Sequence, residues 1–91
     1  MSHCEAEVQI ENRLGLHLRA AAAFAKRAES FESEVSLVRD SVSANGKSII
    51  SLVTLAATQG TRLRIVADGS DAEAAVAALA TLVRDKFGEG S

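Results

Sequence analysis

Between Glu34 and Ala44 two alternating stretches follow each other with only a turn's length between them. Val35 and Leu37 alternate with polar neighbours over Glu34–Val38, and Val42–Ala44 supplies a short return strand. Strands that succeed one another without a helix argue for an antiparallel sheet. The turn itself can be placed in two ways. Asp40–Ser41 fits a tight turn, and Asn45–Gly46 carries the Asn-Gly hairpin signal a few residues on.

The other periodicities build around that hairpin. In Glu5–Glu11 the residues Ala6, Val8 and Ile10 share one face of a half-buried strand. From Leu18 to about Ser30 the spacing becomes helical, with Ala21, Phe24, Ala25 and Ala28 on one face. Lys26 and Arg27 suit the last turn of such a helix, where carbonyls gather negative charge. Phe31 is expected to fold back onto the core. Ser48 can cap a short helix over Ile49–Ala57, closed by Gly60, with Leu52, Leu55 and Ala56 on the core side. Thr61–Ala67 alternates with Leu63, Ile65 and Ala67 inward. Ser70-Asp71-Ala72-Glu73 reads as a capping box. It opens a helix whose face is Ala72, Val76, Leu79, Val83 and Phe87, with Gly88 as its stop. The order is strand, helix, strand, strand, helix, strand, helix. That order describes an α+β open-faced sandwich, a four-stranded antiparallel sheet with three helices on one face. Glu7, Ser36, Arg62 and Arg64 place the other face in water.

At 91 residues the chain fits one domain over residues 1–91, with residues 1–4 expected as a flexible tail. A net charge of −2 and the absence of Trp and Tyr argue against a nucleic-acid partner. No run reaches the length of a membrane span and the polar start lacks a signal-peptide core, so the expected compartment is the cytoplasm. The single Cys4 has no internal disulfide partner. His3 and Cys4, adjacent and without further ligands nearby, make no closed metal site.

The chemistry concentrates in Asn12–Ala28, "NRLGLHLRAAAAFAKRA". His17 stands at a helix entrance and Arg19 in the first turn. The first amides of a helix lack intrahelical acceptors and attract anions, phosphate above all. Arg19 adds a fork of donors matched to phosphate oxygens. A neutral imidazole has a lone pair that can attack phosphorus, and the resulting phosphoramidate keeps a high transfer potential. No carboxylate cluster for a metal and no Walker-type loop accompany the site, so no metal or cofactor is expected. On its own, such a histidine can equally be a solvated loop residue or a cap. Leu18 beside it belongs either to a contact surface or to the interior. Ile49, Ile50 and Val53 form a docking patch if the short helix buries only one face, and core if it buries two. Ser48 is first a helix cap, and second a candidate for regulatory phosphorylation.

Three stretches, taken together, resemble the histidine-containing phosphocarrier (HPr) family of the bacterial phosphoenolpyruvate-dependent phosphotransferase system. They are "NRLGLHLRAA" from Asn12, "NGKSIISLVTLAATQG" from Asn45, and "ADGSDAEAAVAALATLVRDKFGE" from Ala67. The resemblance implies the same four-stranded, three-helix fold. It implies that His17 is phosphorylated on Nδ1, with Arg19 assisting transfer and Leu18 and Arg19 at the phosphoryl-binding helix start. It implies that Ser48 is the serine a dedicated kinase modifies in some bacteria. It also implies that Ile49, Ile50 and Val53 dock partners; the place of Leu18 beside the histidine adds it to the expected docking residues. Those partners would be enzyme I, A domains of sugar permeases or regulatory acceptors, and a serine kinase. Leu18 departs from the small residue usual after the histidine, and Ala20 stands where many members carry proline. The expected role is a monomeric carrier rather than a free-standing catalyst. A mainly regulatory carrier of the nitrogen branch and a non-transferring adaptor binding through Ile49–Val53 are the alternatives.

Overall fold

The computed structural model describes residues 2–91. Four strands form one sheet: β1 (Ser2–Gln9), β2 (Glu34–Arg39), β3 (Val42–Asn45) and β4 (Arg62–Gly69). Their order is β1-β4-β2-β3, and every neighbouring pair is antiparallel. Helices α1 (Leu18–Glu29), α2 (Ile49–Val53) and α3 (Ala72–Arg84) cover the sheet, and a 3-10 turn, η1 (Lys86–Gly88), follows α3. The sandwich expected from the element order is the one observed.

Alternation decides which face is core. Val8, Val35, Leu37, Leu63, Ile65 and Ala67 are buried, while Glu7, Arg62 and Arg64 are exposed on the outer face. Phe24 is fully buried among the small residues Ala20, Ala21, Ala25 and Ala28 of α1. Ala72, Ala75, Val76, Leu79, Ala80 and Val83 of α3 face the same interior. Alanine on both helices allows close approach, which suits a thin core with few aromatics. Phe31 packs against this core, with the Arg27 guanidinium 5.1 Å from its ring centroid.

The hairpin turns at Asp40–Ser41, where Asp40 takes a left-handed φ of 53°. Asn45–Gly46 instead leads into α2, the Asn45 side chain accepting from the Lys47 amide at 2.9 Å.

Several details differ from the sequence reading. β1 starts at Ser2, pairing Ser2–Cys4 with Gly69–Ala67, so the stretch expected as a tail is sheet from its second residue; its first residue lies outside those described. On the outer face the His3 ring meets Asp68 and Glu5, and these hydrogen bonds, Glu5's first, raise its pKa. The neighbouring Cys4 points to the opposite face and is half-buried.

Helix α2 ends at Val53 rather than Ala57. Its next carbonyls are taken elsewhere: Arg39 donates to Leu55 O at 2.8 Å and Ala56 O at 2.9 Å, and the Leu16 amide takes Ala57 O at 2.9 Å. Ala56 adopts a φ of 54° and is exposed, not core.

The capping box is not formed. Asp71 is the N-cap of α3 but makes no side-chain cap bond. Its carboxylate reaches across to the loop before β2, accepting from the Glu32 and Ser33 amides at 2.9 Å each and from the Ser33 hydroxyl. That loop sits so close that a Cβ on Gly69 would lie 2.6 Å from Ser33 Oγ.

Finally, α3 stops at Arg84, and Phe87 belongs to η1. Lys86 and Phe87 both have left-handed φ, 57° and 56°. Such a conformation costs roughly 1 kcal/mol or more per non-glycine residue. Burying the Phe87 ring, which is 8% exposed, returns about 2–3 kcal/mol, of the same order as the cost of the two residues together.

The Ser33 hydroxyl above all, then the Glu32 amide, holds the Asp71 carboxyl below its usual range. A depressed carboxyl contributes stability above its unfolded pKa and loses it as pH falls through the folded one. Asp71→Ala should therefore melt below the parent at pH 7, and the gap should narrow as pH falls below the ordinary carboxylate range; melting curves across pH would check this.

Candidate functional site

The segment between β1 and α1 is fixed at both ends. The Ile10 amide donates to Thr61 O at 2.9 Å, and its carbonyl accepts from the Gly60 amide at 2.8 Å. The chain then turns at Asn12–Gly15, where the Gly15 amide donates to Asn12 O. Gly15 has a φ of 70°, and a Cβ there would sit 2.5 Å from Ala57 O. Only glycine meets both demands. Leu16 is buried next to it. The α2–β4 connection and this turn thereby set where α1 begins, and His17 is the residue presented there.

His17 is the N-cap of α1, with extended backbone (φ −79°, ψ −179°). Its carbonyl accepts the first helical bond, from the Ala21 amide at 2.8 Å. Its two ring nitrogens have different neighbours. Nδ1 accepts from the Arg19 amide at 3.2 Å. Nε2 lies 2.5 Å from Glu89 Oε2. An amide can only donate, so Nδ1 must offer a lone pair. An ionised carboxylate can only accept, so Nε2 carries the hydrogen. The contacts select one tautomer.

Glu89 reaches the ring because η1 bends the chain back after α3. Its other oxygen accepts from Asn12 Nδ2 at 3.0 Å, and Asn12 also donates to Gly15 O at 2.8 Å. Asn12 is fully buried, and its Oδ1 has no donor among the described residues. Such an atom costs about 1–3 kcal/mol. One amide nitrogen thereby fixes the Gly15 turn and the Glu89 carboxylate together. A further tie joins the Arg13 amide to Ser91 O at 3.1 Å. Burial pushes the Glu89 carboxyl upward, but the hydrogen bonds from His17 and Asn12 and the charges of His17 and Arg19 together bring it below its usual range.

The ring is partly exposed, its side chain 23% accessible against 15% for Glu89. Nδ1 sits at the N-terminus of α1 against the Arg19 amide, and the exposed Arg19 side chain supplies positive charge at the same helix end. A lone pair beside amide donors and a guanidinium can attack phosphorus and hold the oxygens that follow it.

The residues singled out in the sequence fall into two groups. His17, Leu18 and Arg19 sit together at the start of α1, with Leu18 64% exposed. Ser48, Ile49, Ile50 and Val53 lie on or before α2, which packs along α1. Ile50 is 73% exposed, and Ile49 and Val53 just over a third, so α2 buries one face only. Ser48 is the N-cap of α2, its Oγ accepting from the Ser51 amide at 3.3 Å. A groove of about 370 Å³ places Ser48 against Ala22–Glu29, one to three turns along α1 from His17. Leu14, 64% exposed on the turn before His17, is a further exposed apolar residue. Leu14, Asn12 and Glu89 had no assigned role in the sequence. Among the described residues no group of three or more His, Cys, Asp and Glu is arranged to hold a metal ion. Nor is any described helix long and apolar enough to cross a membrane.

Comparison with known proteins gives the same lineage by independent routes. The family model described as "PTS HPr component phosphorylation site" matches residues 4–85. The phosphocarrier protein HPr of Neisseria meningitidis is 43% identical over 83 residues, covering 91% of this chain and 93% of its own. The phosphocarrier protein NPr of Shewanella violacea is 37% identical over the full length of both chains. The crystal structure of HPr-C-His from Thermoanaerobacter tengcongensis superposes with a TM-score of 0.92 at 38% identity, over 97% of this chain and 99% of the other. Fold, ring geometry and these likenesses converge, and the chain belongs to the HPr phosphocarrier family of the phosphotransferase system.

Proposed function

We propose that this protein carries a phosphoryl group on His17, accepting it from phospho-enzyme I and passing it to a sugar-permease A domain or a regulatory acceptor. The observation that carries this reading is the ring geometry: Nε2 is engaged by Glu89, and Nδ1 presents its lone pair to the Arg19 amide at the helix N-terminus. On attack the Arg19 amide exchanges Nδ1 for a phosphoryl oxygen. The neighbouring first-turn amides and the Arg19 guanidinium balance the charge of the other oxygens. The group arrives already activated, so the site needs to position and release it, not to cleave a nucleotide. The protein is then a carrier and intermediate, acting in the cytoplasm, rather than a free-standing catalyst.

The exposed apolar residues supply the docking face. Leaving a side chain such as Ile50 in water forgoes about 2 kcal/mol of burial. Five such residues are exposed: Leu14 and Leu18 at the start of α1, and Ile49, Ile50 and Val53 on α2 alongside it. A carrier needs an interface small enough to leave quickly, and an apolar patch beside a charged rim suits that exchange. A monomer keeps this face free. Ser48, half-buried under the patch, is the second modification site of this reading: a phosphate there would put a dianion beside Ile49 and Ile50 and oppose docking without removing the helix start. A mainly regulatory role in nitrogen control is the second reading, favoured by the NPr relative that matches end to end.

Incubation with phosphoenolpyruvate and enzyme I should give one acid-labile phosphate per chain, and His17→Ala should abolish it. Equal labelling of the His17→Ala protein, or a parent that never labels, would reject the carrier reading; partner binding by an unlabelled parent would instead support an adaptor.

Ile50→Glu should leave stability within about 0.5 kcal/mol, because the position is exposed. It should slow transfer from enzyme I at least tenfold by placing a charge in the docking patch. Unchanged transfer rates would remove Ile50 from the interface.

A further inference from the structure

We infer that Glu89 is a positioning residue that keeps the proton on Nε2 of His17 after the ring is phosphorylated, and so keeps the phosphoryl group easy to release. The inference rests on the carrier reading above and concerns what holds the loaded state labile.

Consider the electrons. The Nδ1 lone pair forms the new bond to phosphorus. The bond between phosphorus and the donor breaks, and its pair stays with the donor. Nε2 keeps its hydrogen throughout, so the loaded ring is an N-phosphorylated imidazolium. On discharge the P–Nδ1 pair returns to Nδ1, and neutral imidazole leaves. No proton has to move on the ring in either direction. If Nε2 lost its proton in the loaded state, the leaving group would be imidazolate, a far stronger base and a poorer leaving group. The loaded carrier would then hold its cargo too firmly.

The structure supplies a counter-charge at the position where this matters. Glu89 Oε2 lies 2.5 Å from Nε2, on the side of the ring away from Nδ1. It is itself held from behind by Asn12, which is fully buried, so the carboxylate cannot easily swing away. Among the described residues, the charged groups tied to this site are Glu89 on the segment after η1, against Nε2, and Arg19 on α1, whose charge acts on Glu89; Arg13, on the loop before α1, is exposed. Arg19 lies at the helix end where the phosphoryl oxygens would gather and is neutralised by them. Glu89 is thus left as the group that opposes deprotonation of Nε2. The same carboxylate that selects the tautomer before loading stabilises the imidazolium after it.

Glu89→Gln tests this, because it preserves shape and an acceptor while removing the charge. Parent and variant are each loaded with phosphoramidate, a small donor that needs no docking face. Nε2 is then titrated by its 15N chemical shift, and phosphate loss is followed across pH 5–10. The loaded Glu89→Gln protein should lose its Nε2 proton about one pH unit or more below the parent. Its phosphate should persist several-fold longer at pH values between the two midpoints. Glu89→Asp, which restores the charge on a shorter arm, should move the midpoint back toward the parent, a rescue that a merely structural role would not give. Superimposable profiles for parent and Glu89→Gln would overturn this inference and leave the carrier reading standing. Failure of the parent to load at His17 would instead overturn the carrier reading itself.

Discussion

The two nitrogens of one imidazole are made unequal, and the rest of the site follows from that. A free imidazole exchanges its proton between the two positions and offers either as a nucleophile. In this protein a carboxylate takes one nitrogen and a backbone amide addresses the other. The distinction costs little, because both bonds use groups that would otherwise want partners. The Arg19 amide belongs to the unpaired first turn of α1, and the partly buried Glu89 carboxylate needs donors in order to stay ionised.

Holding those two groups in place is the work of the whole fold. The amide is fixed when α1 starts at Leu18, and that depends on Gly15 fitting against the Ala57 carbonyl. The carboxylate is fixed by the bend after α3, where two residues with left-handed backbone are tolerated because Phe87 is buried. Segments about 70 residues apart in the chain meet at one ring. They can do so because α1 and α3 lie on the same face of the sheet with alanines between them, close enough for the end of one to cover the start of the other. The short α2, released from the core on its outer side, leaves Ile49, Ile50 and Val53 exposed as apolar surface.

The elements and their faces were legible in the sequence because periodicity is a local signal. Val35 and Leu37, or Phe24 with its alanines, declare their buried side within a few residues. What was not legible were the places where a distant group claims a local one. Asp71 has the sequence of a helix cap, yet the Ser33 loop takes its carboxylate. The carbonyls of Leu55 and Ala56 could have continued α2, but Arg39 occupies them. Ser2–Cys4 carry no strong strand pattern, and pairing with the end of β4 extends the sheet regardless. The site divides in the same way. His17, Arg19 and the exposed leucine between them stand together in the chain and could be read there. Glu89 and Asn12 lie within the stretches that carry the family resemblance, but no spacing rule joins residue 89 to residue 17. Only the folded chain makes them neighbours.

The central claim is that Glu89 occupies Nε2 and reserves Nδ1 for phosphorus. The most direct check is NMR of uniformly 15N-labelled protein after phosphorylation, reading which imidazole nitrogen couples to 31P. The account predicts coupling at Nδ1 of His17, with a hydrogen still bound at Nε2. Coupling at Nε2, or a mixture of the two positions, would contradict it.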